Sequence, residues 1–170
     1  MHVPETNSET AKNSDAALDL YDLDFYAWTQ EQASLIRNQQ WSQIDIPNLV
    51  EEIESLGKQQ RQELRNRLAV LIGHLLKWEY QSQYRSRSWL ATIRIQRLDI
   101  AALLKDNPSL KPYLEEALDI AHLKGIELAA SKTALSRRTF LPTCLYSVAE
   151  ILDDRFYPGE LSELVEELDR

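Results

Sequence analysis

Cysteine, glycine and long apolar runs are scarce in this chain, and each shortage closes a class of structure. Cys144 is the single cysteine among 170 residues, so no intrachain disulfide forms, and there is no CxxC or Cys/His cluster to build a thiolate zinc site. A reducing compartment is the expected setting. Cys144 follows a proline-containing loop with no histidine beside it in sequence, and reads as a half-buried structural thiol rather than a nucleophile. The four glycines stand alone at 57, 73, 125 and 159, supplying neither the turns of an all-β domain nor a phosphate-cradling loop. No apolar stretch approaches the ~18 residues of a membrane span. Residues 1–16 lack the basic flank and apolar core of a signal peptide, so a cytoplasmic protein without membrane contact is expected. None of the three histidines stands in HExxH or Glu-x-x-His, so neither a metal nor another cofactor is expected.

What is present is helical pattern and sorted charge. The net charge is −8. Residues 1–57 carry two Lys/Arg against eleven Asp/Glu, residues 58–97 carry nine against two, and residues 98–170 carry eight against fourteen, giving −9, +7 and −6. A basic middle between acidic flanks is what internal charge complementarity in a helical bundle produces.

Residues 1–17 are polar and read as a disordered arm. Asp22 or Asp24 suits the N-terminus of a first helix running to about Asn38, with Phe25, Trp28, Gln32, Leu35 and Ile36 on one side. Asp45 then caps a long second helix that has Pro47 in its first turn. The stripe of that helix is Ile53, Gly57, Gln60, Leu64, Leu68, Leu71, Leu75 and Trp78, in steps of three and four, and the segment Leu68 to Trp78 is apolar nearly all round. Ser86 or Ser88 caps a third helix through about Lys105. The fourth has its period at Leu110, Leu114, Ala117, Ala121, Gly125 and Leu128, extending toward Leu135, and its small residues at 117, 121 and 125 invite close approach by a neighbour. Ser147 and Glu150 form a capping box for a short helix closed by Tyr157, Pro158 and Gly159. The prediction is all-α: one helical domain over 18–158 with four main, mostly antiparallel helices, and a short acidic helical extension over 159–170.

The segments YDLDFYAWTQEQASLIR, NLVEEIESLG, HLLKW, RSRSW, TIRIQR and NPSL occur in this order between residues 21 and 110. In that combination the chain resembles a bacterial family, domain of unknown function 29, commonest in cyanobacteria, over roughly residues 20–158. The resemblance implies an all-helical domain and carries no established activity, substrate or cofactor. The family's closing segment has a proline before its tyrosine, where Leu145 precedes Tyr146 here.

Two constellations carry chemistry. His74 lies in the apolar run, where it serves as a core group with its nitrogens hydrogen-bonded to a neighbouring helix, as a general base or as a metal ligand, the first being the commonest role of such a histidine. Arg85, Arg87, Arg94 and Arg97, with Lys77, Tyr84 and Trp89, combine anion-binding forks with stacking faces. Either they form an open surface, or their aromatics are core and their arginines pair with Asp22, Asp24 and the acidic fourth helix. No catalytic motif is present. The leading reading is a non-enzymatic protein-interaction or regulatory module that binds itself, as a homodimer, or another protein. Nucleic-acid or phosphate-ligand binding through Arg85–Arg97 follows, less favoured for so acidic a chain, and an enzyme using His74 comes last.

Overall fold

The computed structural model describes residues 20–168, and among them the chain is helical or irregular, without a strand. The protein is all-α. The expected arm, residues 1–17, lies outside the described residues. The chain divides into two compact units, Met1–Gly57 and Lys58–Arg170.

In the first unit, α1 (Phe25–Arg37) starts where the carboxylate of Asp24 accepts a hydrogen bond from the amide of Ala27 at 2.9 Å. The 35-residue α2 (Ile46–Tyr80) starts after Asp45, which is buried and fully engaged. Its carboxylate accepts from the Trp28 indole at 3.1 Å, from the Asn48 side chain at 2.7 Å and from the Asn48 amide at 3.4 Å, while its own amide donates to Gln32 at 2.9 Å. The cap of α2 is therefore also the polar joint that holds α1.

The second unit is a helical bundle made of the later turns of α2 with α3 (Arg87–Asp106), α4 (Leu114–Ser131), α5 (Val148–Leu152) and α6 (Glu163–Leu168). Ser86 caps α3 by accepting from the Trp89 amide, and the capping box of Ser147 and Glu150 opens α5, both as the sequence predicts. The core joins Leu64, Leu68, Leu71, Leu75 and Trp78 of α2 to Leu90, Ile93 and Ile100 of α3, Ala117 and Ala121 of α4, and Ile151 of α5. α2 and α4 cross backbone to backbone. A Cβ on Gly125 would come within 2.8 Å of the Ile72 side chain and 3.2 Å of the Gly73 nitrogen, and one on Gly73 within 3.1 Å of the Gly125 carbonyl oxygen.

Four features differ from the sequence prediction. The apolar stripe of α2 is buried only from Leu64 onward, and Ile53, Gly57 and Gln60 are exposed, because the core cluster draws on no earlier turn of the helix. The fourth helix begins at Leu114 rather than Leu110, the preceding Pro108–Tyr113 being a tighter 3₁₀ run that contains Pro112. It stops at Ser131 short of Leu135, where the Thr133 hydroxyl turns back to the Ala129 carbonyl at 2.8 Å. Helix α5 ends at Leu152, well before Tyr157, for a reason that lies in Arg97.

Candidate functional site

The candidates of residues 74–97 fall into two sets that α2, the turn Ser82–Tyr84 and the capped start of α3 separate. The arginines are turned to the C-terminal segment. Arg97 is 3% exposed. Its guanidinium donates to the main-chain carbonyls of Ile151 at 2.9 Å, Phe156 at 2.6 Å and Asp154 at 3.4 Å, and lies over the Tyr157 ring at 5.1 Å. An α-helix continuing past Leu152 would need some of those carbonyls for its own ladder, so Arg97 terminates α5 by taking them. Burial lowers its pKa, countered by Tyr157, Asp154 and Asp153, and a guanidinium in this setting keeps its charge.

Arg85 works the same way one turn of chain further on. It donates to the Trp78 carbonyl at 2.8 Å and the Glu160 carbonyl at 2.8 Å, with a longer reach of 3.5 Å to that of Pro158, and its guanidinium sits 5.0 Å from the Trp78 ring centroid. Gly159 stands between the two C-terminal acceptors at φ +83, a conformation that suits glycine and turns the chain over Arg85. Arg94 donates to the Tyr157 hydroxyl at 3.2 Å and also lines a separate surface depression with Leu98, Asp154 and Arg155. Arg87 pairs with Glu167 at 3.1 Å, with both side chains largely exposed. The acceptors of Arg85 and Arg97 are thus carbonyls of residues 151–160 and of Trp78 rather than carboxylates of the fourth helix.

Lys77, Trp89 and Tyr84 form the second set, and His74 joins them. Val70, Gly73, His74, Lys77, Trp89, Leu128 and Lys132 line a cleft of about 330 Å³. A wider depression shares Trp89 and Lys132 with it and adds Gln81, Tyr84, Ser131, Thr133 and Ala134. Among the described residues no carboxylate lines either one.

Lys77 is the unusual group. It is 6% exposed, and its ammonium lies 4.5 Å from the centroid of the Trp89 ring. Among the described residues no carboxylate pairs with it. Burial pushes its pKa down and the charge of Lys132 adds to the effect. The stem of Lys77 is buried while its ammonium is only partly withdrawn from water, and a cation–π contact of about 0.5–2 kcal/mol offsets part of that desolvation. Trp89 holds Lys77 in place because the Ser86 cap starts α3 so that its first turn faces the last turns of α2.

His74 is half-buried, and its Nδ1–H donates to the Val70 carbonyl at 2.9 Å, one turn back in its own helix. The expected bond to a neighbouring helix is replaced by this local one, since the residue four positions earlier offers a carbonyl at the right height. Nε2 is left as the acceptor of the neutral ring. Burial pulls the His74 pKa below its ordinary value, Lys77 reinforces that, and the Val70 bond opposes it. Protonation of His74 accordingly requires an anion in the cleft to come easily.

Sequence reasoning passed over His122, which is as buried as Arg97 at 3% exposure. Its Nε2–H donates to the Leu141 carbonyl at 2.8 Å, and its Nδ1 is buried without a partner among the described residues. The signal was available, since 118, 122, 125 and 129 lie on one side of α4. His122 borders a space of about 10 Å³ beside Glu79 and Tyr146, whose hydroxyl donates to the Glu79 carboxylate. That volume holds about one water molecule and no larger ligand. Cys144 is half-buried, and burial raises its pKa. Among the described residues no three or more His, Cys, Asp and Glu side chains are grouped to hold a metal, and no helix is long and apolar enough to cross a membrane.

No curated protein and no solved structure matches this chain. A family model does match, over residues 20–157, and its span takes in α1 to α5, the cleft and Arg97 with the carbonyls it binds, while Pro158 to Glu167 fall beyond it. On that match the chain belongs to the family described as domain of unknown function DUF29.

Proposed function

We propose that this chain is a non-enzymatic interaction module, and that the cleft of His74, Lys77, Trp89 and Lys132 takes carboxylates from an acidic segment of another protein. The observation that carries the reading is Lys77, a largely buried side chain whose partly desolvated ammonium opens on a cleft, has a second lysine beside it and pairs with no carboxylate among the described residues. A carboxylate supplied from outside provides the missing counter-charge at low local dielectric, and neighbouring apolar side chains of the segment find Trp89, Tyr84 and Leu128. The adjoining depression extends the cleft into a track suited to an extended chain.

Nucleic acid is the poorer fit. With Arg85 and Arg97 committed to main-chain carbonyls, the cleft offers two lysines and one histidine, too few phosphate contacts to overcome a net charge of −8. General-base chemistry at His74 lacks the orienting carboxylate that would raise its basicity, because Nδ1 is bonded to a carbonyl.

The test is a titration of ¹⁵N-labelled protein with acetylated hexaglutamate, followed at the Trp89 indole N–H and the His74 ring. Both signals should move together and saturate, tightening as pH falls from 7 to 6 because bound carboxylates raise the His74 pKa, and Lys77→Met should remove the response. Equal shifts with inorganic phosphate alone would assign the cleft to phosphate ligands instead. Silence at Trp89 up to millimolar peptide rejects the proposal.

A further inference from the structure

Lys77 is an amine as well as a cation, and the cleft presents it as one. Its stem is packed, leaving the residue 6% exposed, while its head lies 4.5 Å from the Trp89 ring centroid and opens on the cleft of about 330 Å³. A lysine held this way has already lost the rotamer freedom that blurs the position of a surface amine, so a carbonyl carbon entering the cleft meets the nitrogen over a narrow range of approach. The titratable groups that line the cleft with it are His74 and Lys132, and among the described residues no carboxylate clamps the ammonium in an ion pair. Burial and the charge of Lys132 both favour the neutral amine, which is the nucleophilic form. Lys105, Lys111 and Lys124, by contrast, are exposed and line neither the cleft nor the depression beside it.

The same surroundings select the electrophile. Lys132, exposed at the end of α4, sets a second positive charge beside Lys77, which draws an anionic donor in and keeps a cationic one out. The cleft is at the small end of ligand sites, so the donor is compact rather than a nucleotide-bearing thioester. An acyl phosphate meets both conditions, with its phosphate toward Lys132 and a short acyl group against Val70 and Leu128.

We propose that Lys77 is a modification site, acylated on Nζ by a small acyl phosphate that Lys132 steers into the cleft. The neutral amine adds to the carbonyl carbon and a C–N bond forms. The C–O bond to phosphorus's oxygen breaks, its electron pair leaves on inorganic phosphate, and the surplus proton on nitrogen passes to water. Nothing is oxidised or reduced, and the product is an uncharged amide. Its consequence rests on the carboxylate reading of the cleft given above: an amide cannot pair with a carboxylate, so acylation closes the cleft to acidic segments.

The full chain incubated with acetyl phosphate near about pH 8, with peptide mass spectrometry following each lysine in time, tests this. Lys77 should be acetylated at least about fivefold faster than Lys105, Lys111 and Lys124. That preference should shrink with phenyl acetate, an acyl donor without charge, and likewise in Lys132→Gln, an exposed position whose substitution leaves the circular dichroism spectrum unchanged. A Lys77 rate no greater than that of the exposed lysines overturns the site, and an equal preference with both donors overturns the acyl phosphate assignment. The hexaglutamate titration then separates the consequence from its premise. Acetylated protein should lose the Trp89 response of the parent, and an acetylated chain that still responds refutes the switch. A parent that never responds rejects the carboxylate reading alone, because the acetylation rates are measured without the peptide.

Discussion

Alanine placed at each of three helical glycines should give three different answers from one chemical change. At Gly57 nothing lies within 4 Å of the new methyl group, so Gly57→Ala collects the helix-propensity gain of about 0.8–1 kcal/mol. At Gly125 the same gain is opposed by contacts of 2.8 and 3.1 Å to Ile72 and 3.2 Å to the backbone nitrogen of Gly73. Ile72 is fully buried and β-branched, so it cannot swing aside, and the helices must separate. Overpacking of this kind costs about 1–3 kcal/mol, and forcing two backbones apart belongs at the upper end. The net expectation for Gly125→Ala is a loss of about 1–2 kcal/mol after the propensity gain is subtracted. Gly73→Ala meets Leu128 Cβ at 3.0 Å and the Gly125 carbonyl oxygen at 3.1 Å, and should lose somewhat less. Urea unfolding followed by far-ultraviolet circular dichroism gives the three midpoints against wild type. If Gly125→Ala were as stable as Gly57→Ala, α2 and α4 would not cross in contact, and the packing described above would be wrong.

Lys77→Met should abolish the hexaglutamate response while raising stability slightly in the absence of ligand, because it removes a partly desolvated charge that no carboxylate among the described residues meets; lower stability would mean that Lys77 already has its counter-charge. Arg97→Met should cost about 3 kcal/mol, since it orphans carbonyls of Ile151 and Phe156 in a buried setting, and limited proteolysis should then cut after Leu152, where protection equal to wild type would contradict this role. The depressed pKa of His74 predicts a pH effect with a definite sign: the unfolded chain takes up a proton near pH 6.5 before the folded one does, so stability falls as pH drops through and below that value. His74→Gln should flatten this slope below about pH 6.5, and an unchanged slope would place its origin elsewhere.

The elements were legible in the sequence because their signals are local. Asp24, Asp45, Ser86 and the pair Ser147 and Glu150 each satisfy amides within three residues of themselves, so the bonds that start α1, α2, α3 and α5 are written in adjacent letters. The small residues of α4 likewise announced a close crossing, although not that Gly73 would be its other half. The site was legible only as a list. Lys77, Tyr84 and Trp89 stand out by composition, but nothing near them in sequence shows that Lys132 comes beside Lys77 or that the arginines turn elsewhere. Arg85 and Arg97 bind carbonyls 54 to 75 residues away, and a carbonyl looks the same whatever residue bears it. Which carbonyls lie within reach of a guanidinium, and which ammonium is left without a carboxylate, depends on how the helices pack, because charge and hydrogen-bond partners are chosen by distance in space.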